Sequence, residues 1–428
     1  MATDATIDPA LLDDLEWRGL IADSTDREAL REALTSGSVR FYIGFDPTAP
    51  SLHMGNLLQI VTAMRLQRAG HTPYPLVGGA TGMIGDPRDS GERTLNSLDT
   101  VKEWVERVRR QIEPFLDFEG PNAATMVNNY DWTASLSTID FLREIGKHFP
   151  VNRMLARDTV KRRLDTDGMS YTEFSYVLLQ SMDYLNLFRD HGVTLQFGGS
   201  DQWGNITGGV ELIRRAEGAT VHAFTTPLVT KADGTKYGKT EGGALWLDPE
   251  MMSPYAFHQF WLNVEDAKVG EMLRIFTFLS RAEIEALEKQ TADEPFRRAA
   301  QKALADHMTT LVHGEGETRQ AKAAAEALFG TGDLAALDAS TLAAALEEAG
   351  ASLYYKSNGM PSFVDLLVSS GLASSRNEAR RTVGEGGAYL NNERVDDPER
   401  VITEDDLIAG VWLVLRRGKK RFAGVQVR

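Results

Sequence analysis

Phe41-Tyr42-Ile43-Gly44-Phe45-Asp46-Pro47-Thr48, followed closely by His53-Met54-Gly55-Asn56, is the stretch from which the rest of the chain can be read. The apolar run Phe41–Phe45 reads as a buried strand, and a helical pattern begins near Leu57. The His53–Asn56 turn therefore falls on a helix N-terminus, where unpaired N–H groups and the helix dipole attract anions. Gly55 has no Cβ to hold a phosphate away from the backbone, and His53 and Asn56 add side-chain donors. Far downstream, Lys236-Tyr237-Gly238-Lys239-Thr240 follows Thr230-Lys231-Ala232-Asp233-Gly234-Thr235. It reads as a Gly-containing loop whose mobile lysine charges suit a polyphosphate. Taken singly, the first motif is an ordinary strand-to-helix turn and the second a solvated basic turn. Their order, with further polar motifs between them, favours one split nucleoside-triphosphate site.

Working outward, strand-like runs at Val39–Phe45, Tyr74–Gly78, Ala124–Asn128, Thr194–Phe197 and Thr220–Thr225 alternate with helical stretches. The helices include Leu57–Ala69, Asp99–Leu116 and Thr172–Arg189, and the pattern predicts an α/β unit with a parallel sheet. Ligands of such sheets bind at the carboxyl ends of the strands, where Gly44-Phe45-Asp46 and Gly78-Gly79-Ala80-Thr81-Gly82 fall. Beyond Ser253 the pattern becomes consecutive amphipathic helices to about Phe329, which predicts an all-α domain. Residues 330–361 read as a linker that carries one helix, and 362–428 as a compact third unit with two helices and short strands.

At 428 residues and 42% hydrophobic content, the chain can bury a large core and suggests two or three domains. No run approaches the roughly 18 apolar residues of a membrane span, and Met1-Ala2-Thr3-Asp4-Ala5 lacks the features of a secretion signal. A cytoplasmic protein with no membrane partner is the expectation. The absence of cysteine excludes disulfides and thiolate–metal sites, and the eight histidines show no close metal-ligand pairing, so no protein-held metal is expected. The formal charge of −15 speaks against a nucleic-acid partner until its distribution is considered. From Arg416 onward the chain carries Arg416, Arg417, Lys419, Lys420, Arg421 and Arg428 with no acidic residue, so an RNA partner stays open beside a merely solvated tail.

Tyr176, Gln180 and Asp183 stand at i, i+4 and i+7 of one predicted helix and share a face. Apolar Phe174, Val177, Leu178 and Leu179 around them point to burial, and buried polar groups need partners. The turn Gly198-Gly199-Ser200-Asp201-Gln202-Trp203-Gly204-Asn205 follows a strand and opens a helix, with Asp201 and Gln202 suited to a ribose or a carboxylate. Asp86, in Ile84-Gly85-Asp86-Pro87, is either a turn aspartate or a partner for an ammonium.

Together these motifs, namely Tyr42–Thr48, the HIGH-type Pro47–Asn56, Gly78–Pro87, Tyr176–Asp183, Gly198–Asn205 and the KMSKS-type Lys236–Thr240, closely resemble the bacterial tyrosyl-tRNA synthetases, class I aminoacyl-tRNA synthetases, over practically the whole chain. The resemblance implies a Rossmann-like catalytic domain over 1–252, an anticodon-side helical domain over 253–329, a linker, and a small α+β RNA-binding domain over 362–428. It implies that Tyr42 and Asp183 bind the substrate phenol, that Tyr176, Gln180 and Asp86 hold its ammonium, and that Gln202 lies near its carboxylate. Asp201 would meet the ATP ribose, with Gly44, Asp46, Gly55 and Gly199 lining the nucleotide site. Thr48, His53 and Asn56 would meet the phosphates from one side, and Lys236, Lys239 and Thr240 from the other. ATP as substrate, Mg²⁺ bound through its polyphosphate, L-tyrosine, tRNA(Tyr) and a homodimer complete the implied set.

Ser375–Arg381 and Gly387–Asn391 are similar to a small RNA-binding module shared with a ribosomal small-subunit protein, in which arginines at helical spacing contact phosphates. Two departures stand out. Asn56 replaces the second histidine of the commonest HIGH form, and the loop Arg88–Arg93 lacks a lysine often found there, leaving Arg88 or Arg93 as its substitute. On that reading, Arg93→Ala slows adenylate formation while sparing tyrosine affinity. The rival readings are a synthetase for tryptophan and a noncatalytic RNA-binding protein.

Overall fold

A computed structural model describes residues 6–87, 91, 95–166, 168–235, 244–328, 332–418 and 421–428. Packing divides the chain into two compact units, Met1–Asp248 with Gly270–Ala286, and Pro249–Val269 with Leu287–Arg428.

The first unit is built on a six-stranded sheet: β1 (Asp23–Ser24), β2 (Arg40–Phe45), β3 (Thr72–Val77), β4 (Val127–Asn128), β5 (Leu195–Gly199) and β6 (His222–Thr226), in the order β1-β6-β5-β2-β3-β4. All neighbours are parallel except β1, which caps the β6 edge antiparallel. The chain builds one side of the sheet from β2 through β4 and then returns to build the other from β5, so β2 and β5 flank the reversal. A crevice opens at such a point at the carboxyl ends of the strands.

Side chains alternate across β2. Phe41, Ile43 and Phe45 are buried on one face, where Phe41 meets Phe197 at 5.8 Å and Phe197 stacks on Phe224 at 4.9 Å. Tyr42 and Asp46 point to the other face. There Tyr42 joins a core with Tyr74, Leu76, Val177, Leu178 and Met182. The four helices that matter for the site are α1 (Met54–Arg68), α2 (Leu98–Ile112), α3 (Tyr171–His191) and α4 (Trp203–Glu217). The first three start on side-chain caps from His53, Ser97 and Ser170, and α3 ends on left-handed Gly192. The strands and helices expected from sequence recur within a few residues. The exception is β1, whose two residues were too short to carry a pattern.

In the second unit, helices Pro254–Leu262 and Ala299–Leu328 share a core in which Tyr255, Ala321, Ala324, Leu342, Leu346, Trp412 and Val414 meet. Gly314, at φ 91°, kinks the longer helix. A five-stranded sheet has the order β7-β11-β10-β8-β9, from Ser352–Tyr354, Arg421–Val427, Trp412–Arg417, Ala388–Leu390 and Glu393–Arg394. The stretch read from sequence as a linker contains the helix Ala339–Glu348 as well as β7, which pairs parallel with β11. Its Ala-rich helix buries Leu342, Ala345 and Leu346, a contribution that weak local periodicity does not reveal.

Candidate active site

The crevice holds a cavity of about 670 Å³. Each candidate site residue that the structure describes lines it: Tyr42, Gly44, Asp46, Thr48, His53, Gly55, Asn56, Asp86, Tyr176, Gln180, Asp183, Gly199, Asp201 and Gln202. Lys236, Lys239, Thr240, Arg88 and Arg93 lie outside the described residues.

At the inner end, Asp183 is 2% exposed and its carboxylate accepts from Trp132 Nε1 at 2.9 Å and Asn129 Nδ2 at 3.0 Å. Burial pushes its pKa up to about 7 even though those two donors pull it down. Tyr42 Oη accepts from Gln196 Nε2 at 2.5 Å, and the two residues are register partners of β2 and β5. Burial, and then the charge of Asp183, hold the Tyr42 hydroxyl well above its usual pKa, so it stays neutral. Gln196, Asn129 and Trp132 were not singled out from sequence. Gln196 carried a signal, an amide inside an otherwise apolar strand; Trp132 acts through Asp183, and Asn129 through Asp183, Thr81 and Ala80, which local sequence cannot show.

A second carboxylate stands midway. Asp46 accepts from Tyr176 Oη at 2.7 Å and from Thr81 Oγ1 at 2.6 Å. The approach is so close that a Cβ on Gly78 would fall on both Asp46 Oδ1 and Thr81 Oγ1, which accounts for glycine there. A third, Asp86, accepts from Gln202 Nε2 at 2.8 Å and Asn205 Nδ2 at 2.9 Å. Its burial raises the pKa to about 6 against those two hydrogen bonds. With Asp201, four carboxylates line the one cavity and favour a cationic group there.

The outer end is the N-terminus of α1. His53 Nδ1 accepts from Gly55 N at 3.0 Å, and Asn56 Oδ1 accepts from His53 N at 3.0 Å, a reciprocal capping box. With Nδ1 an acceptor, the neutral ring carries its proton on Nε2; with Oδ1 engaged, Asn56 keeps Nδ2 for a ligand. Surrounding protein desolvates the His53 ring and lowers its pKa, although the residue is open to the cavity. The segment that follows the lysine-bearing stretch pairs with this turn: Met54 N donates to Leu245 O at 3.0 Å and Leu247 N to Leu52 O at 2.9 Å. Gln111 of α2 braces it, accepting from Leu52 N at 2.8 Å.

A parallel sheet with a crevice at its reversal, an anion-binding helix start and a carboxylate-lined pocket define a nucleotide-dependent synthetase. Residues 35–330 match the family described as tRNA synthetases class I (W and Y), and the chain belongs to it. Within it the chain groups with the tyrosine–tRNA ligases, and residues 351–425 match the tyrosine–tRNA ligase SYY-like C-terminal domain. It is 61% identical to the tyrosine–tRNA ligase of Streptomyces coelicolor over 97% of this chain and 99% of that protein. Identity to the tyrosine–tRNA ligase of Mycobacterium tuberculosis is 58%, over 97% and 98%. A C-terminally truncated mitochondrial tyrosyl-tRNA synthetase of Aspergillus nidulans superposes with a TM-score of 0.66 at 32% identity, covering 73% of this chain and 92% of that one.

Proposed function

We propose that the chain is a tyrosine–tRNA ligase that activates L-tyrosine with ATP and passes the tyrosyl group to tRNA(Tyr). The observation that carries this reading is the single cavity joining a buried carboxylate–hydroxyl pair, Asp183 and Tyr42, to the capped N-terminus of α1.

The substrate phenol donates to Asp183 and meets Tyr42. Its ammonium lies among Asp86, Tyr176 and Gln180, with Gln202 beside the carboxylate. ATP occupies the outer end, its ribose at Asp201, its backbone contacts along Gly44, Asp46, Gly55 and Gly199, and its phosphates at Thr48, His53 and Asn56, with Lys236, Lys239 and Thr240 opposite. The tyrosine carboxylate attacks the α-phosphorus and pyrophosphate departs; a ribose hydroxyl of tRNA then attacks the tyrosyl carbonyl, giving up its proton, and AMP leaves. A carboxylate is already a competent nucleophile at neutral pH, so the first step needs no general base, and catalysis rests on alignment and charge stabilisation. Phenylalanine is rejected because it would leave Asp183 and Tyr42 buried without their partner, an effect for which tyrosine–tRNA ligases are themselves the standing example. Mg²⁺ would ride on the polyphosphate. Among the described residues no three His, Cys, Asp or Glu side chains assemble as a donor set for it, so no step is routed through it.

We assign catalysis to residues 1–252 and tRNA contacts to the helical region 253–329 and the unit 362–428, joined through 330–361. We also propose a homodimer. Six large apolar side chains left exposed, Ile139, Leu142, Val151, Leu155, Leu164 and Tyr171, fall within one short stretch of the first unit, as a self-association face requires. A cytoplasmic site of action accords with the described helices, none of which is long and apolar enough to cross a membrane. ATP–pyrophosphate exchange run separately with tyrosine, tryptophan and phenylalanine tests the reading. Exchange with tyrosine alone is expected; exchange with tryptophan, or with none, overturns it.

A further inference from the structure

Arg157 immediately precedes the helix Asp158–Leu164, with no side-chain hydrogen bond to its N-terminus, and does not line the large cavity. Its Nη1 donates to Asn205 Oδ1 at 3.1 Å and its Nη2 to Gly204 O at 2.7 Å. The guanidinium lies against the glycine stripe of α4; a Cβ on Gly208 would come within 3.2 Å of Nη2.

Arginine has only donors, so Asn205 must turn its oxygen toward Arg157 and its NH₂ group the other way. Both hydrogens of that NH₂ are then used. One goes to Asp86 Oδ1 at 2.9 Å and the other to Gln202 Oε1 at 3.1 Å. Gln202 is fixed in turn: with Oε1 accepting, its Nε2 faces Asp86 Oδ2 at 2.8 Å. The cation outside the pocket thus reinforces, through Asn205 Oδ1, the amide orientations that the Asp86 carboxylate requires from inside it. Both end up presenting N–H groups to one carboxylate, the arrangement that favours the ionised form of Asp86.

We propose that Arg157 is a positioning residue for recognition of the amino-acid ammonium, acting through Asn205 and Gln202 on Asp86. The proposal rests on the reading above that Asp86 receives that ammonium.

The test compares three ligands on the full-length protein by calorimetry: tyrosine, tyramine, which keeps the ammonium but not the carboxylate, and 3-(4-hydroxyphenyl)propionate, which keeps the carboxylate but not the ammonium. Arg157→Met is expected to weaken tyrosine and tyramine about tenfold, the effect of one charge-assisted hydrogen bond, and to weaken the propionate, which meets Gln202 but not Asp86, markedly less. In exchange assays its tyrosine KM should rise with kcat preserved. Arg157→Lys keeps one donor for Asn205 and should fall between the wild type and Arg157→Met. It carries the same ligand-selective expectation if the methionine variant does not fold. Equal weakening of all three ligands, or none, overturns the proposal. Asp86→Asn separates the two claims. If it weakens the ammonium ligands while Arg157→Met does not, the role of Arg157 falls and that of Asp86 stands; if it spares them, the Asp86 reading fails and takes the proposal with it.

Discussion

Trp246 pairs backbone to backbone with His53 in an antiparallel bridge, their rings 6.4 Å apart. The chain emerging from the lysine-bearing stretch therefore runs directly against the turn that caps α1. Residues 245–247, a little beyond the lysine-bearing stretch, share backbone hydrogen bonds with residues 52–54 at the first half of the split motif.

His53→Ala removes both the acceptor that caps Gly55 N and the Nε2 donor aimed at the phosphates. Adenylate formation in a single turnover should slow on the order of a hundredfold, as for loss of one donor to developing charge. Tyrosine affinity, measured by equilibrium titration, should be unchanged; an equal loss in both would place His53 in ground-state binding instead.

Trp132→Phe keeps the ring and deletes the N–H that holds Asp183. The carboxylate then loses a donor in a dry site, so kcat/KM for tyrosine should drop about ten- to a hundredfold. The value for phenylalanine should scarcely move, narrowing discrimination. Parallel exchange assays with both amino acids decide this, and undiminished preference for tyrosine would refute it.

Acid should weaken tyrosine binding without unfolding the protein through these groups. Asp183, at about 7, and Asp86, at about 6, must be ionised to accept from the phenol and to attract the ammonium. Asp46 and Asp201 oppose the charge on Asp86. The tyrosine KM should be flat above about pH 8 and climb as the pH drops to 6. Stability has the opposite sign. Both pKa values lie above the ordinary carboxyl value, so their burial penalty is full at high pH and fades as the pH falls through about 7 and 6 toward 4. A KM that stays level from pH 8 to 6 contradicts the assignment.

Arg163 and Glu173 form an ion pair at 3.0 Å, exposed by only 1% and 2%. Arg163→Met takes the paired cation away from a buried carboxylate and should cost about 3–5 kcal/mol in urea unfolding, while the double change Arg163→Met with Glu173→Met should recover most of it. Equal losses in the single and double variants would show that the carboxylate is not the source of the cost.

The parallel sheet and the residues around the cavity were legible because their signals are local. Phe41–Phe45 is an apolar run, and Tyr176, Gln180 and Asp183 share a helical face. What escaped was set by distant partners. Trp132 matters because the fold brings it to Asp183, Asn129 because it is brought to Asp183, Thr81 and Ala80, and Arg157 because α4 carries glycines where its guanidinium lies. The two short strands β1 and β4 owe their existence to neighbours: β1 was missed, and β4 is shorter than its apolar pattern suggested. That Gly270–Ala286 packs with the first unit has the same origin. Helical periodicity shows that the segment around Arg274–Leu279 is a helix ending in a turn, yet not that its carbonyls accept from the buried guanidinium of Arg18.

Strands β2 and β5 stay in register for two pairs only, Phe41 with Leu195 and Tyr42 with Gln196, and then diverge. Past the second pair both strands carry residues that line the cavity, Ile43 and Gly44 on one and Phe197 and Gly198 on the other. The gap between them is set by the course of the backbone, which a change of side chain on either strand leaves in place.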